Sequence, residues 1–404
     1  VLEAARPAAL EPATVEAVAA VFLHSGWRTS GTWLWEALRD SDRVRAYYEP
    51  LHEDLDRLDR AGLASFSPAS WESGHSPGAP YFAEYAAFLR RNGRGIDGYQ
   101  PRFAFDNFFL DPASDDPALR AYLRGLIDAA RAEGRLPVLK FCRSLGRVPW
   151  LERQFPDALH AVVLRDPLTQ FISARRQMAF AGNPYFVVSP FVILARNANH
   201  PLLAQALARL DVTMPPHLSR DLGTTILVCR HHVQSLTWSA RYRGFLALWA
   251  ATAVAALRGN ATWIDSELLG EDAAHRAGVE QALVRGPGLS VALFDGYRPA
   301  PPPAWLGTEA EAQDAVRAAF AALDFVAAAR DSLPPAHARL LVAKLAPRWL
   351  SGGVLVRGAL PPAPPAVAKP ASGWWAAALS VAAARLTFPL RRAHFYLRQW
   401  RPKR

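Results

Sequence analysis

Short apolar runs alternate with stretches of helical spacing through the first two thirds of the chain. From Ala17 the order Ala-Val-Ala-Ala-Val-Phe-Leu-His predicts a buried strand, followed by a glycine-bearing turn and a helix from about Gly31 to Asp40. Leu136-Pro-Val-Leu-Lys-Phe predicts a second strand and Leu159-His-Ala-Val-Val-Leu a third. Thr225-Ile-Leu-Val-Cys and Ala261-Thr-Trp-Ile-Asp predict two more, each again followed by a helical pattern. Strands separated by helices argue for an α/β fold, three layers deep, with a central parallel sheet flanked by helices.

Between these segments the pattern breaks twice. Residues 64–112 are rich in aromatics, Pro and Gly and read as irregular, with a short helix near Tyr81–Arg91, and residues 183–220 share that character. Beyond Asp331 the sequence changes again. Pro334–Leu350 fits a basic amphipathic helix, Ala359–Gly373 carries five prolines and reads as a linker, and Trp374–Arg404 mixes aromatics with Arg. The expected organisation is one domain over residues 1–331, a basic helical segment over 332–358, and a Pro-rich linker with a basic aromatic tail over 359–404.

Charge sharpens that division. The 404 residues hold 46 Lys and Arg against 36 Asp and Glu, a net charge of +10. No acid follows Asp331, whereas 12 cations do, so the preceding body is slightly negative. A nucleic-acid groove would spread basic charge over the fold, so that class is disfavoured. A chain that is 51% hydrophobic and 20% charged is not disordered over its body. Two cysteines make neither a disulfide framework nor a metal cluster, and a reducing cytoplasm is the expected compartment. No apolar run reaches the length of a membrane-spanning helix.

The chemistry concentrates in Phe22-Leu-His-Ser-Gly-Trp-Arg-Thr-Ser-Gly-Thr-Trp-Leu-Trp35. A strand, a turn with Gly26 and Gly31, and a helix aim backbone N–H groups and the positive helix end at an anion. The glycine spacing is that of a nucleotide P-loop, but Thr32 stands where its Lys belongs and Trp33 where its magnesium-binding Ser or Thr belongs. The cation is Arg28, inside the loop. An ordinary strand-to-helix turn is the competing reading of this segment alone.

Arg28-Thr-Ser-Gly-Thr-Trp33 resembles the 5′-phosphosulfate loop of the PAPS-dependent sulfotransferases, in their Arg-bearing branches, although Ser30 and Gly31 fall where many members have Gly then Thr. A second segment, Ala161-Val-Val-Leu-Arg-Asp-Pro-Leu-Thr-Gln-Phe-Ile-Ser173, is similar to that family's 3′-phosphate motif, with Arg165, Asp166-Pro167 and Ser173 in register. A phosphate calls for a planar cationic fork and a hydroxyl donor, which Arg165 and Ser173 supply. The resemblance covers about residues 17–270 and implies a P-loop-type fold, with 64–112 and 183–220 as acceptor-side insertions. It implies PAPS as donor and PAP as product, no metal, and cofactor contacts from Gly26, Trp27, Arg28, Thr29, Ser30, Gly31, Thr32, Trp33, Arg165 and Ser173.

Branch and base follow from two further segments. Lys140-Phe-Cys-Arg143 places Cys142 where the cytosolic phenol and steroid branch has its catalytic His, and a neutral thiol is a poor base. Arg45-Ala-Tyr-Tyr-Glu-Pro-Leu-His-Glu53 is similar to the segment of the carbohydrate sulfotransferases whose Glu is regarded as the acceptor base. That resemblance makes Glu49 the expected base, with His52 in reserve and Arg28 the cation at the leaving group. Trp263-Ile-Asp-Ser-Glu-Leu-Leu269 resembles a late architectural segment of the family. The expected partner is a carbohydrate or glycolipid acceptor, with the tail on an anionic membrane surface at its inner face. The competing functions are a P-loop kinase for a small metabolite and a membrane-tethered nucleotide-binding protein without turnover.

Overall fold

The computed structural model describes residues 18–66, 79–215, 219, 221–294 and 307–346. Five strands form one sheet: β1 (Ala20–Ser25), β2 (Val44–Tyr48), β3 (Leu136–Phe141), β4 (Ala158–Leu164) and β5 (Thr262–Asp265). Their order is β2-β3-β1-β4-β5, and every pairing is parallel. All six β1 residues are buried, as expected of a strand covered by helices on both faces. In β4 the side chains alternate between two cores: Ala161 and Val163 join one cluster, Val162 and Leu164 the other. The chain is therefore α/β, a parallel sheet between helical layers.

The connection from β1 runs to one edge of the sheet and that from β4 to the other. The crevice beyond the carboxyl ends of β1 and β4 is thus a topological switch point, where open parallel sheets take ligands. The loop at Gly26 and the Arg165 segment both open into it.

Four of the five expected strands are present. The fifth, at Thr225–Cys229, is instead part of the helix Leu222–Ser235, started by the Asp221 side chain accepting from Thr224 N. A short β-branched apolar run does not by itself distinguish strand from buried helix. Here Thr225, Cys229 and Val233, four apart, are the buried stripe. The missed strand is β2, a half-polar run at the sheet edge. Residues 183–220 are also more regular than expected, with helices Tyr185–Asn197 and Pro201–Arg209. The expected helix near Tyr81–Arg91 shrinks to a 3-10 turn at Ala83–Phe88.

The C-terminal helix Pro335–Leu345 buries Leu340, Leu341 and Leu345 in the body's core, so the break expected at Asp331 does not separate it from the fold. The linker and tail over 359–404 lie outside the described residues. Among the described residues no single helix is long and apolar enough to cross a membrane.

Candidate functional site

β1 ends at Ser25, the chain turns through Gly26–Ser30, and the loop helix Gly31–Arg39 begins. Arg28 and Ser30 take φ of 65° and 69°, left-handed values that are costly for residues with a Cβ and that cluster at functional sites. Gly31 is obligatory, since a Cβ there would sit 2.6 Å from Ser25 Oγ and 2.8 Å from Ser25 Cβ. Ser30 makes no side-chain cap, so the first amides of the helix have neither an intrahelical acceptor nor a cap from that hydroxyl.

The loop's carbonyls are all engaged. Thr29 Oγ1 donates to Gly26 O (2.9 Å), Gln170 Nε2 to Trp27 O (2.6 Å), Arg165 to Arg28 O (2.9 Å) and Ser266 Oγ to Thr29 O (2.8 Å). Turning successive carbonyls into the protein is how a backbone loop gathers N–H dipoles on its other side.

Arg165 follows β4, and Asp166 caps the helix Pro167–Phe180 by accepting from Thr169 N at 2.7 Å. Pro167 opens that helix, where its missing N–H costs nothing. Ser173, two turns on, accepts from Arg28 Nε at 3.0 Å. The two segments, 137 residues apart, thus meet at Arg28, Arg165 and Ser173. Arg28 also lies over the Phe186 ring, 5.3 Å from its centroid. Burial, and then the like charge of Arg165, lower its pKa. Two guanidiniums held this close form a place where an anion relieves repulsion.

Other expected contacts lie further out. The Trp27 ring is buried edge-on to Tyr185 at 6.2 Å, and Thr32 Oγ1 is 3.4 Å from Tyr48 OH. Trp33 stacks on Phe294 at 5.8 Å.

Glu49 follows β2 with φ 47°, another strained non-glycine residue. Its carboxylate accepts from Lys140 Nζ (2.6 Å), Cys142 N (2.9 Å) and Arg143 (3.1 Å). All three of these side chains and that of Glu49 are buried. Burial alone would raise the Glu49 pKa, but the charges of Lys140 and Arg143, with the Cys142 side chain, outweigh it and hold it at about 2. Burial works against charge on Lys140 as well, yet the Cys142 sulfur and Glu49 keep it well above the ordinary lysine value. Lys140 Cε would lie 3.4 Å from a Cβ on Gly31, so the ammonium-bearing chain runs beneath the start of the loop helix.

Around this pair the groups are equally committed. Burial and then Glu49 push the Cys142 thiol up to about 11, so no thiolate serves as base. Arg143 also bonds Glu53 and Tyr185 and lies over Trp27 and Phe105. His52 accepts from Asp54 N at 3.1 Å through Nδ1, capping the turn Glu53–Asp56. Burial lowers its pKa, and the lone pair a base would use is taken by that cap.

Sequence reasoning missed Gln170, Ser266, Tyr185 and Glu267. Their signal is position: Ser266 and Glu267 lie just past β5, Gln170 on the helix after Arg165, and Tyr185 at the start of the next helix. Comparison of the chain with family models, with curated proteins and with solved structures finds no match.

Proposed function

We propose that the chain is a sulfotransferase of P-loop type, moving a sulfuryl group from PAPS to an acceptor hydroxyl. The observation that carries this reading is the meeting of Arg28, Arg165 and Ser173, with Arg28 Nε 3.0 Å from Ser173 Oγ and Arg165 on Arg28 O. Two phosphate-type segments, distant in sequence, share one crevice beside a helix N-terminus. A donor with phosphate at both ends of a nucleoside fits such a pair, and the adjoining guanidiniums fit its charge.

Bound PAPS supplies an activated sulfuryl group on a leaving phosphate. The chain's part is positioning and charge neutralisation. Arg28 and the amides of Thr29–Thr32 would hold the leaving end, while Arg165 and Ser173 would hold the 3′-phosphate. Glu49 takes the acceptor proton, and Lys140 must loosen from it first, because a carboxylate with a pKa near 2 is a weak base. The similarity of the Glu49 segment to carbohydrate sulfotransferases points to a sugar hydroxyl on a glycan or glycolipid. The basic tail suits a membrane-proximal acceptor at a cytoplasmic face.

The test is transfer from labelled PAPS to a panel of glycan and glycolipid acceptors. Arg28→Ala and Glu49→Ala are both expected to lose transfer by at least about 100-fold. Only Arg28→Ala should also weaken PAP binding. Equal turnover by Glu49→Ala and the unaltered chain removes the base assignment. Magnesium-dependent ATP turnover with no transfer from PAPS favours a kinase instead.

A further inference from the structure

The C-terminal helix Pro335–Leu345 brings into the body one charge with no part in the scheme above. Lys344 is 2% exposed, and its Nζ donates to Asp265 Oδ1 at 2.5 Å and to Glu267 Oε2. Glu267 faces the 3′-phosphate half of the site. Its carboxylate accepts from Asp166 N at 3.1 Å, and its Oε1 lies 3.8 Å from Arg165 Nε. The two oxygens of Glu267 therefore divide between two cations, Lys344 on one side and Arg165 on the other.

We propose that Lys344 is a positioning residue for the anion site, acting through Glu267 on Arg165. The inference rests on the PAPS reading and extends its site to the C-terminal helix. Asp265 and Glu267 place two carboxylates beside a crevice that is to receive an anion. Without a buried cation between them, their field opposes the anion, because charges so little exposed to water are weakly screened. Glu267, released from Lys344, would also close the 3.8 Å gap to Arg165 and draw that guanidinium off Arg28 O. Lys344 removes both effects. It holds Glu267 through Oε2 and leaves Arg165 directed at the loop.

Calorimetric titration of the full chain with PAP and with 5′-AMP, which differ by the 3′-phosphate, tests this. The unaltered chain is expected to bind PAP at least about tenfold more tightly than 5′-AMP. Lys344→Met should lose about tenfold in PAP affinity and less in 5′-AMP affinity, so that discrimination shrinks. Both Lys344→Arg and the double change Lys344→Met with Glu267→Gln should restore PAP binding, which a merely structural role would not produce. If Lys344→Met discriminates as the unaltered chain does, the proposal is overturned and the sulfotransferase reading stands. If the unaltered chain itself does not discriminate, that reading fails and takes the proposal with it. Should Lys344→Met not fold, Glu267→Gln alone decides, since losing that charge should tighten PAP binding more than 5′-AMP binding. Unchanged PAP affinity in Glu267→Gln overturns the proposal.

Discussion

Glu49 cannot act as a base while two cations hold it. Removing one of them separates its ion pairing with Lys140 and Arg143 from the proton transfer proposed for it. In Lys140→Met, burial loses its main opponent, so the Glu49 pKa should climb from about 2 toward and above the ordinary carboxylate range. The acid limb of the kcat–pH profile is then expected to shift to higher pH. A limb that stays in place means that Glu49 does not set it. At Arg165 the expected outcome is narrower. Arg165→Ala should abolish discrimination between PAP and 5′-AMP, read by competition binding, because the planar fork beside Ser173 is what would tell them apart. The strained φ values at Arg28, Ser30 and Glu49 belong to this scale as well. Three of the site's named residues are held in shapes that local preference resists, and the carbonyl anchors around the loop are what hold the first two.

At the scale of elements, the helix Pro167–Phe180 depends on its first turn. Asp166→Ala should lower unfolding stability by about 1 kcal/mol, measured in urea, by removing the cap on Thr169 N. It should also weaken PAP binding through Ser173, which rides on the same helix. Strands β1, β3, β4 and β5 were legible because each is built on a short apolar run, which in β3 extends over Leu136–Leu139 before Lys140. β2 was not, since its Arg45 breaks the run and its identity comes from pairing with β3. The Thr225–Cys229 run misled for the opposite reason. Its residues favour strands, and only packing of the Thr225, Cys229 and Val233 stripe makes it helical. In the site, Arg28, Arg165 and Ser173 stand in recognisable segments, but the sequence set Arg28 at one phosphate and Arg165 with Ser173 at another, and the direct bond from Arg28 to Ser173 comes only from the fold. Gln170 and Ser266 hold carbonyls of the loop from distant parts of the chain, and nothing in local sequence marks such a partner. Lys344 was counted with the basic tail, and only tertiary packing shows that it is buried.

Over the whole molecule, one acid-sensitive feature lies inside the sheet. His24 on β1 and His160 on β4 stack at 5.4 Å and share a hydrogen bond, while His24 also meets Ser144 Oγ at 2.7 Å. Burial, then His160, takes His24 well below its ordinary pKa, and burial brings His160 to about 4. The unfolded chain takes these protons near pH 6.5, so from there down to about 4 it binds more protons than the folded one. Stability should therefore be fully present above that window and be lost as the pH drops through it. Urea midpoints at pH 7 and pH 5 measure this, and His160→Gln should flatten the difference. A midpoint that does not move in the unaltered chain would show that the pair is not buried neutral.

The bond from Ser266 to Thr29 O spans 237 residues. A ribosome adding about 5–20 residues per second makes the loop some 10–50 seconds before the group that anchors its last carbonyl. During that interval the nascent chain holds the loop by its other three carbonyl anchors, and a chain cut short ahead of Ser266 has the loop residues without the partner of Thr29 O. Completion of the loop's anchoring thus waits until the chain has been made past Ser266.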